Sequence, residues 1–142
     1  MAEKDRSTKK LTCRTIIEIA GYPKEYVEET MERVVKTLKE IPKIKVLSHE
    51  TVPAEQIEKM FSTFTEFDIE FPEFEALMQF CFNFMPSSVE ILEGKDTFDV
   101  AEVTGILNDM MAQLHKYDMV VKNLRAKVHL LENPKNEKLK PK

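Results

Sequence analysis

The stretch FSTFTEFDIEF, residues 61–71, alternates apolar and acidic side chains along its second half. The apolar members fall two residues apart and are Phe67, Ile69 and Phe71. The positions that flank and separate them are acidic and are Glu66, Asp68 and Glu70. Because successive side chains of a β-strand point to opposite faces, this pattern predicts a strand with one face in a core and one face in water.

The residues before this strand predict a strand, a helix and a second strand. Residues 11–20 (LTCRTIIEIA) are rich in β-branched side chains and are closed by Gly21. Residues 24–41 follow Pro23 and repeat apolar side chains every three or four positions, as an amphipathic helix does. Residues 44–52 alternate in part and predict another strand. For residues 53–60 two interpretations stay open, namely one or two helical turns or the turn of a plain hairpin.

The residues after the strand complete an α+β domain. Residues 73–85 (EFEALMQFCFNFM) predict a helix that is apolar on nearly every side, so we expect the C-terminal helix or another subunit to pack over it. Residues 87–93 predict a short strand that Gly94 ends. The order β-α-β-β-α-β over residues 11–94 matches the ferredoxin-like arrangement, an antiparallel sheet with two helices on one face.

A single long helix with a heptad repeat is predicted beyond Gly94. Apolar or aromatic residues recur from position 100 to 131 at alternating spacings of three and four, without a break. We call these a and d positions of five heptads the seam; they are Val100, Val103, Leu107, Met110, Leu114, Tyr117, Val121, Leu124, Val128 and Leu131. Asp99 followed three residues later by Glu102 forms a cap pair, so we expect the helix to span residues 99–132.

The seam predicts an assembly, because a sustained 3.5-residue repeat keeps facing a partner only when helices supercoil. A helix of about 34 residues is roughly 50 Å long, whereas a small domain spans about 30 Å. We expect a homodimer through the seam. Pairing with another protein's helix and docking on the chain's own domain are the alternatives, and Ile106 and Met111 beside the seam would suit docking. Asp118 and Arg125 at e positions leave parallel and antiparallel pairing open.

Charge divides the chain into an acidic body and basic ends. The 142 residues contain 21 Lys and Arg against 25 Asp and Glu, a net charge of -4. Residues 1–10 carry +2 and residues 133–142 carry +3, which leaves -9 on residues 11–132. We expect four parts: a disordered arm (1–10), an α+β domain (11–94), a C-terminal helix (95–132) and a disordered basic tail (133–142). Since the body repels phosphates, we do not expect nucleic acid as a partner.

Composition and sequence motifs also indicate the cellular compartment. A content of 42% hydrophobic and 32% charged residues is typical of one folded globular domain. No apolar run approaches 18 residues and the first ten residues lack the apolar region of a secretory signal, so we expect no membrane span and no signal peptide. Cys13 and Cys81 form neither a disulfide framework nor a zinc motif and are expected to be reduced. We therefore expect the protein in the cytoplasm.

Two weak patterns could support chemistry. His49 follows Ser48, but adjacent residues of a strand face opposite ways and would not converge. The acidic face of residues 66–70 could hold a hard cation if a neighbouring strand added a carboxylate such as Glu18. We prefer to interpret that face as solvated. His115 and His129 both occupy b positions of the heptad, two heptads apart, and cannot share one metal within a chain.

Motifs for catalysis or cofactor binding are missing from the sequence. With only three glycines a phosphate-binding glycine loop cannot form, and no nucleophile elbow or zinc-protease motif occurs. Cys81 lies in an apolar helix and is interpreted as a core residue instead of a nucleophile. We predict no catalytic residue, no cofactor and no metal site.

These features predict a non-enzymatic module for protein–protein interaction. It would dimerise through the seam and present an acidic surface to a protein partner. The alternative is a regulatory domain that binds an unidentified small ligand at the dimer interface. A third hypothesis, an enzyme, would draw its acid–base groups from Glu66, Asp68, Glu70 and His49, and it has the least support.

Overall fold

A computed structural model describes residues 10–94 and 97–134. Most of the arm and tail expected at residues 1–10 and 133–142 lies outside the described residues. The strands are β1 Leu11–Gly21, β2 Lys45–Thr51, β3 Glu55–Ile57, β4 Met60–Phe71 and β5 Ser88–Glu93. The helices are α1 Lys24–Glu40, α2 Phe74–Phe84 and α3 Val100–Glu132. The chain forms two compact units, Met1–Thr97 and Phe98–Lys142.

The first unit is an antiparallel sheet with two helices, which confirms the predicted α+β class. β1 and β4 form the centre of the sheet and pair along their whole lengths, from Leu11 opposite Phe71 to Gly21 opposite Phe61. β2 flanks β4 and β5 flanks β1, so the strand order is β2-β4-β1-β5. β3 pairs with the first residues of β4 and brings the sheet to five strands.

One face of the two central strands is the core. The predicted apolar face of β4 is fully buried, and alternate residues of β1 from Leu11 to Ile17 are buried beside it. α1 and α2 share one apolar cluster with these strands through Met31, Leu38, Leu77 and Phe80. Both helices therefore cover the same face of the sheet. The opposite face, which we call the outer face, carries the charged residues of β1 and β4.

Residues 53–60 contain the short strand β3 and a tight turn at positions 58 and 59, and no helix, so the helical interpretation of this segment is wrong. Glu55, Gln56 and Ile57 of β3 pair with Ser62, Phe61 and Met60 of β4. Glu58 makes the tight turn between them with a φ of 56°, in the left-handed region that short hairpins use. Local propensity at Pro53 and the following glutamates favours a helix start, but pairing with a long strand overrides it.

The apolar helix α2 buries Leu77 and Phe80. The ring of Phe80 lies 5.4 Å from the ring of Phe71 and 5.4 Å from that of Phe84, measured between centroids. Met85 caps the helix with a φ of 47° and is 66% exposed. The expectation that a further element packs over this helix stays a prediction.

β5 is an edge strand with little burial. All six of its residues are exposed, and within the described sheet it pairs with β1 alone. Val89 and Ile91 lie opposite Thr15 and Cys13, on the core side, yet are 41% and 50% exposed. β5 therefore adds backbone hydrogen bonds to the sheet and little to the core.

Substitution of two phenylalanines of β4 tests the assignment of the two faces. Phe67→Ala should lower the free energy of unfolding by about 3–5 kcal/mol because it leaves a cavity in a packed core. Phe64→Ala, on the outer face, should lower it by less than about 1 kcal/mol. Urea unfolding of the full chain, followed by circular dichroism at one fixed protein concentration, measures both. Equal losses would contradict the assignment.

Candidate functional site

The helix α3 begins and ends close to where the sequence predicts. The Asp99 carboxylate accepts a hydrogen bond from the Glu102 backbone N–H at 2.7 Å, which caps the first turn. The helix has 33 residues, or about 50 Å. Lys122 and Asp118 form an ion pair of 2.7 Å across one turn of the helix. Within residues 98–134, the described part of this second unit, α3 is a single capped helix.

All ten residues of the seam lie on α3 in one continuous stripe. Their exposed fractions run from 38% at Met110 to 84% at Val100. No residue of α3 is buried within the part of the chain that the structure describes. A helix by itself cannot cover its own apolar stripe, so these side chains form a continuous exposed apolar surface.

The apolar surface of α3 is wider than the seam. Met111 and Val120 occupy e and g positions beside it and are 50% and 54% exposed. Met119 faces away from the seam, at an f position, and is 64% exposed. Met111 was predicted from the sequence as an apolar residue beside the seam, whereas Met119 and Val120 were not. A hydrophobicity count over each heptad position, beyond a and d, would have found them.

The outer face of the sheet centres on Arg14. Its guanidinium group donates two hydrogen bonds to the Asp68 carboxylate, at 2.9 and 3.1 Å, and its Nε lies 3.5 Å from Glu66 Oε1. These hydrogen bonds, reinforced by the Arg14 charge and by a hydrogen bond from Ser48, lower the pKa of Asp68 below its ordinary value. Asp68 is therefore a stable anion held in a fixed orientation.

The other carboxylates of this face also have partners. Lys10 Nζ lies 3.6 Å from Glu70 Oε1, and Ser62 Oγ donates to Glu18 Oε1 at 3.0 Å. Within residues 10–94 and 97–134 no three His, Cys, Asp or Glu side chains converge in a way that could hold a metal ion. The carboxylates considered for a cation are thus paired with basic groups and a hydroxyl.

The groups considered for an enzyme lie on two faces of the sheet. His49 is paired with Phe67 and its ring packs 6.2 Å from the Phe67 ring, on the core side. Ser48 is paired with Asp68, on the outer face. The structure therefore brings the acidic residues of β4 together with Ser48 and leaves His49 on the other side of the sheet.

Neither cysteine has the environment of a nucleophile. Cys13 is completely buried, and burial together with the nearby Cys81 raises its thiol pKa to about 11. Burial also raises the pKa of Cys81. Both are free thiols. Near neutral pH both stay protonated, and the thiol form is a poor nucleophile.

A groove of about 690 Å³ lies between α1 and the segment that runs from β2 to β3. Its apolar lining includes Met31 and Val35 of α1 and Val52 and Ala54 after β2, and His49 lies among its polar lining residues. This groove could not be identified from the sequence, because its lining residues come from separate segments that meet only in the folded sheet.

Comparison with protein families places the chain in a family. The model of the MJ0538 family matches residues 12–138. The chain belongs to the MJ0538 family. This match to the MJ0538 family covers β1 through the end of α3, so the sheet unit and the seam are both within it. No curated protein and no solved structure matches the chain.

Among the described residues of this MJ0538-family chain, none of the helices combines the length and the apolar character that a membrane span requires.

Titration of Asp68 tests the Arg14 contact in this MJ0538-family chain. The carboxyl should titrate below its ordinary value of about 3.9, so its contribution to folding is present above that pH and is lost as the pH falls through the lowered pKa. Arg14→Gln should raise the Asp68 pKa towards about 3.9. Carbon-13 NMR of side-chain carboxyls measures the Asp68 pKa in the natural chain and in the variant. An unchanged Asp68 titration in the variant would contradict the contact.

Thiol alkylation tests the burial of the cysteines. At pH 8 the native chain should react with iodoacetamide much more slowly than a free cysteine does, and Cys13 should be the slower of the two thiols because it is completely buried. In denaturing urea both should react at the ordinary rate. Mass spectrometry of the alkylated peptides measures each site, and rapid native alkylation of Cys13 would place it outside the core.

Proposed function

We propose that this chain is a non-enzymatic interaction module that forms a homodimer through α3 and presents an acidic sheet surface to a protein partner. The observation that carries the proposal is the unbroken exposed seam along the whole of α3. The acidic outer face with its fixed Asp68 supplies the second part. The cytoplasm is the compartment that we propose, since both cysteines are free thiols.

The period of the seam supports a helical partner. A strict 3.5-residue repeat is needed only when two helices supercoil, because a straight helix on a sheet buries a 3.6-residue stripe. Full burial of a Leu or Val side chain contributes about 1.5–3 kcal/mol, and eight of the ten seam positions are Leu or Val. A second copy of α3 brings an identical seam, which is self-complementary in a two-fold dimer.

Charges beside the seam are compatible with both orientations of the pair. Lys127 at g and Glu132 at e would attract each other between parallel helices. Asp118 and Arg125, both at e, would attract each other between antiparallel helices. The structure pairs Asp118 with Lys122 in its own helix. This contact competes with the antiparallel charge pair and favours the parallel arrangement.

We also propose the ferredoxin-like arrangement for the sheet unit. Without the short β3, the strand order β2-β4-β1-β5 has the first and third long strands at the centre and antiparallel neighbours throughout. α1 follows β1 and α2 follows β4, as the split β-α-β arrangement requires. The β3 hairpin is an addition to that plan. A fold of this kind carries no function by itself.

Ligand binding is the second candidate function, and the groove beside α1 supports it. A volume of about 690 Å³ lies within the usual range for small-molecule sites, and the groove is lined by both apolar and polar side chains. Unlike the site first considered at a dimer interface, this groove lies wholly within the sheet unit. Any compound that binds there should raise the midpoint of thermal unfolding as its concentration rises.

Substitution within the seam tests the dimer. The double variant Leu114→Asp with Leu124→Asp should weaken self-association at least about a hundredfold, because two charges per chain would enter a dry interface. The matched control Lys116→Asp with Asn123→Asp changes residues at c positions and should dimerise as the natural chain does. Light scattering over a dilution series measures the molar mass, expected at twice 16.6 kDa for the natural chain.

Two outcomes would contradict the dimer. A natural chain that stays at 16.6 kDa throughout the dilution series would show that the seam is covered within the chain or by another protein. Equal dissociation of the seam variant and the c-position control would show that the seam is not the interface.

A further inference from the structure

An apolar patch lies on the outer face of the sheet at the hairpin between β3 and β4. Ile57, Met60 and Phe64 are 57%, 50% and 41% exposed. Ile57 is paired with Met60 across the hairpin, and paired residues point to the same face. Phe64 lies four residues beyond Met60 on β4 and so shares that face. We call these three residues the hairpin patch.

The patch borders a concavity of about 630 Å³. Ala20 and Phe61 line it together with Ile57 and Met60. Its charged lining residues are Glu18, Glu58 and Lys59. Further along the outer face β4 carries Glu66, Asp68 and Glu70, so the large apolar side chains at this end of the strand depart from the usual polar character of a solvent-facing sheet.

The surroundings of the concavity are negative. Glu18 and Glu58 line it against the single cation Lys59, and the Ser62 hydroxyl holds the Glu18 carboxylate with a hydrogen bond of 3.0 Å. Residues 11–94 contain sixteen acidic against eight basic residues. An occupant that buries the patch and complements this charge must carry apolar side chains flanked by Lys or Arg.

The backbone hydrogen bonds at the patch limit which secondary structure of a partner can bind there. β4 is hydrogen-bonded on both sides here, to β1 through Ala20 and to β3 through Glu55, which both pair with Ser62. A strand therefore cannot add to β4 at this point, so recognition of Met60 and Phe64 falls to side chains. A helix that lays its apolar stripe into a shallow groove is the usual mode of that kind, and an exposed Met adapts its shape to such a partner.

We propose that the hairpin patch is a docking site for a basic amphipathic helix of a partner protein. The apolar stripe of that helix covers Ile57, Met60 and Phe64, and its Lys or Arg side chains pair with Glu18 and Glu58. This inference rests on the proposed acidic interaction surface and gives it a location and a class of partner. It does not depend on the dimer.

Binding of a synthetic helix tests the proposal. The probe is a fluorescein-labelled peptide of about 14 residues with Leu on one face and Lys on the other, and fluorescence anisotropy with the full chain measures its Kd. The natural chain should bind it, and binding should weaken as salt is added. A second peptide with Glu in place of every Lys should bind at least about tenfold more weakly.

Three variants locate the bound peptide. Ile57→Ser with Met60→Gln removes two of the three apolar side chains of the hairpin patch and should raise the Kd at least about tenfold. Glu18→Gln with Glu58→Gln should raise the Kd about three- to tenfold at low salt. The matched control is Glu25→Gln with Glu29→Gln, which removes the same charge from exposed residues of α1 and should change the Kd by less than about twofold.

The seam of α3 could itself attract an amphipathic helix, so the Leu114→Asp with Leu124→Asp variant is included. It should bind the peptide as the natural chain does, while light scattering shows its loss of self-association. Retained molar mass and circular dichroism in the patch variant would show that fold and dimer are intact. Failure of the patch and failure of the dimer are therefore distinguishable.

Four results would overturn the proposal. The first is no binding by the natural chain, and the second is equal binding of the Lys and Glu peptides. The third is an equal loss in the Glu25→Gln with Glu29→Gln control and in the Glu18→Gln with Glu58→Gln variant, which would show attraction by net charge alone. The fourth is loss of binding in the seam variant together with full binding in the patch variant, which would place the peptide on α3.

Discussion

The alternation of β4 against β1 is the constraint on which the sheet unit depends. Eleven residue pairs join these strands, and a slip of one residue would turn Phe67, Ile69 and Phe71 towards water. The same slip would turn Glu66 and Asp68 into the core, where an unpaired carboxylate costs many kcal/mol. A shift in register is therefore unfavourable on both faces of the sheet. α1 and α2 cover the face that carries Phe67, Ile69 and Phe71.

The charged face follows from the same register. Because Arg14 is directly opposite Asp68, the guanidinium group meets the carboxylate in the two-point geometry that fixes both side chains. Ser48 reaches the same carboxylate from β2. The outer face thus combines a rigid acidic centre with an apolar end at the β3 hairpin. The two proposed interaction surfaces, this face and the seam, use different units of the chain.

Strands and helices whose side chains repeat at a regular spacing could be predicted from the sequence. An element that forms only by pairing with another strand could not. β1, β4 and the capped α3 lie within one residue of their predicted bounds, since alternation, heptad spacing and an Asp cap are each written in neighbouring residues. β3 exists only because β4 offers it a partner, so local propensity predicted a helix as one alternative. Nearly every side of α2 is apolar, and the burial of Phe80 depends on where Phe71 lies.

The candidate interaction surfaces also differ in whether the sequence alone could identify them. The seam residues could be identified from sequence because they are contiguous on one helix, whereas their partner stays a prediction. The hairpin patch and the groove beside α1 join residues from separate strands and helices. Glu18 and Glu58 are forty positions apart, and only the folded sheet brings them to one concavity. No spacing rule for a single strand or helix could have found that pair.

Because β5 is weakly buried, its backbone amides are less protected from hydrogen exchange than those at the centre of the sheet. Releasing β5 from β1 would break its ladder of hydrogen bonds but would uncover few core side chains, since all six residues are already exposed. Amides of β5 should then exchange with deuterium through a local opening, whereas amides shared by β1 and β4 should exchange only when the whole unit unfolds. β5, the last strand before α3, is thus a part of the sheet that the native protein can detach and restore without opening the core.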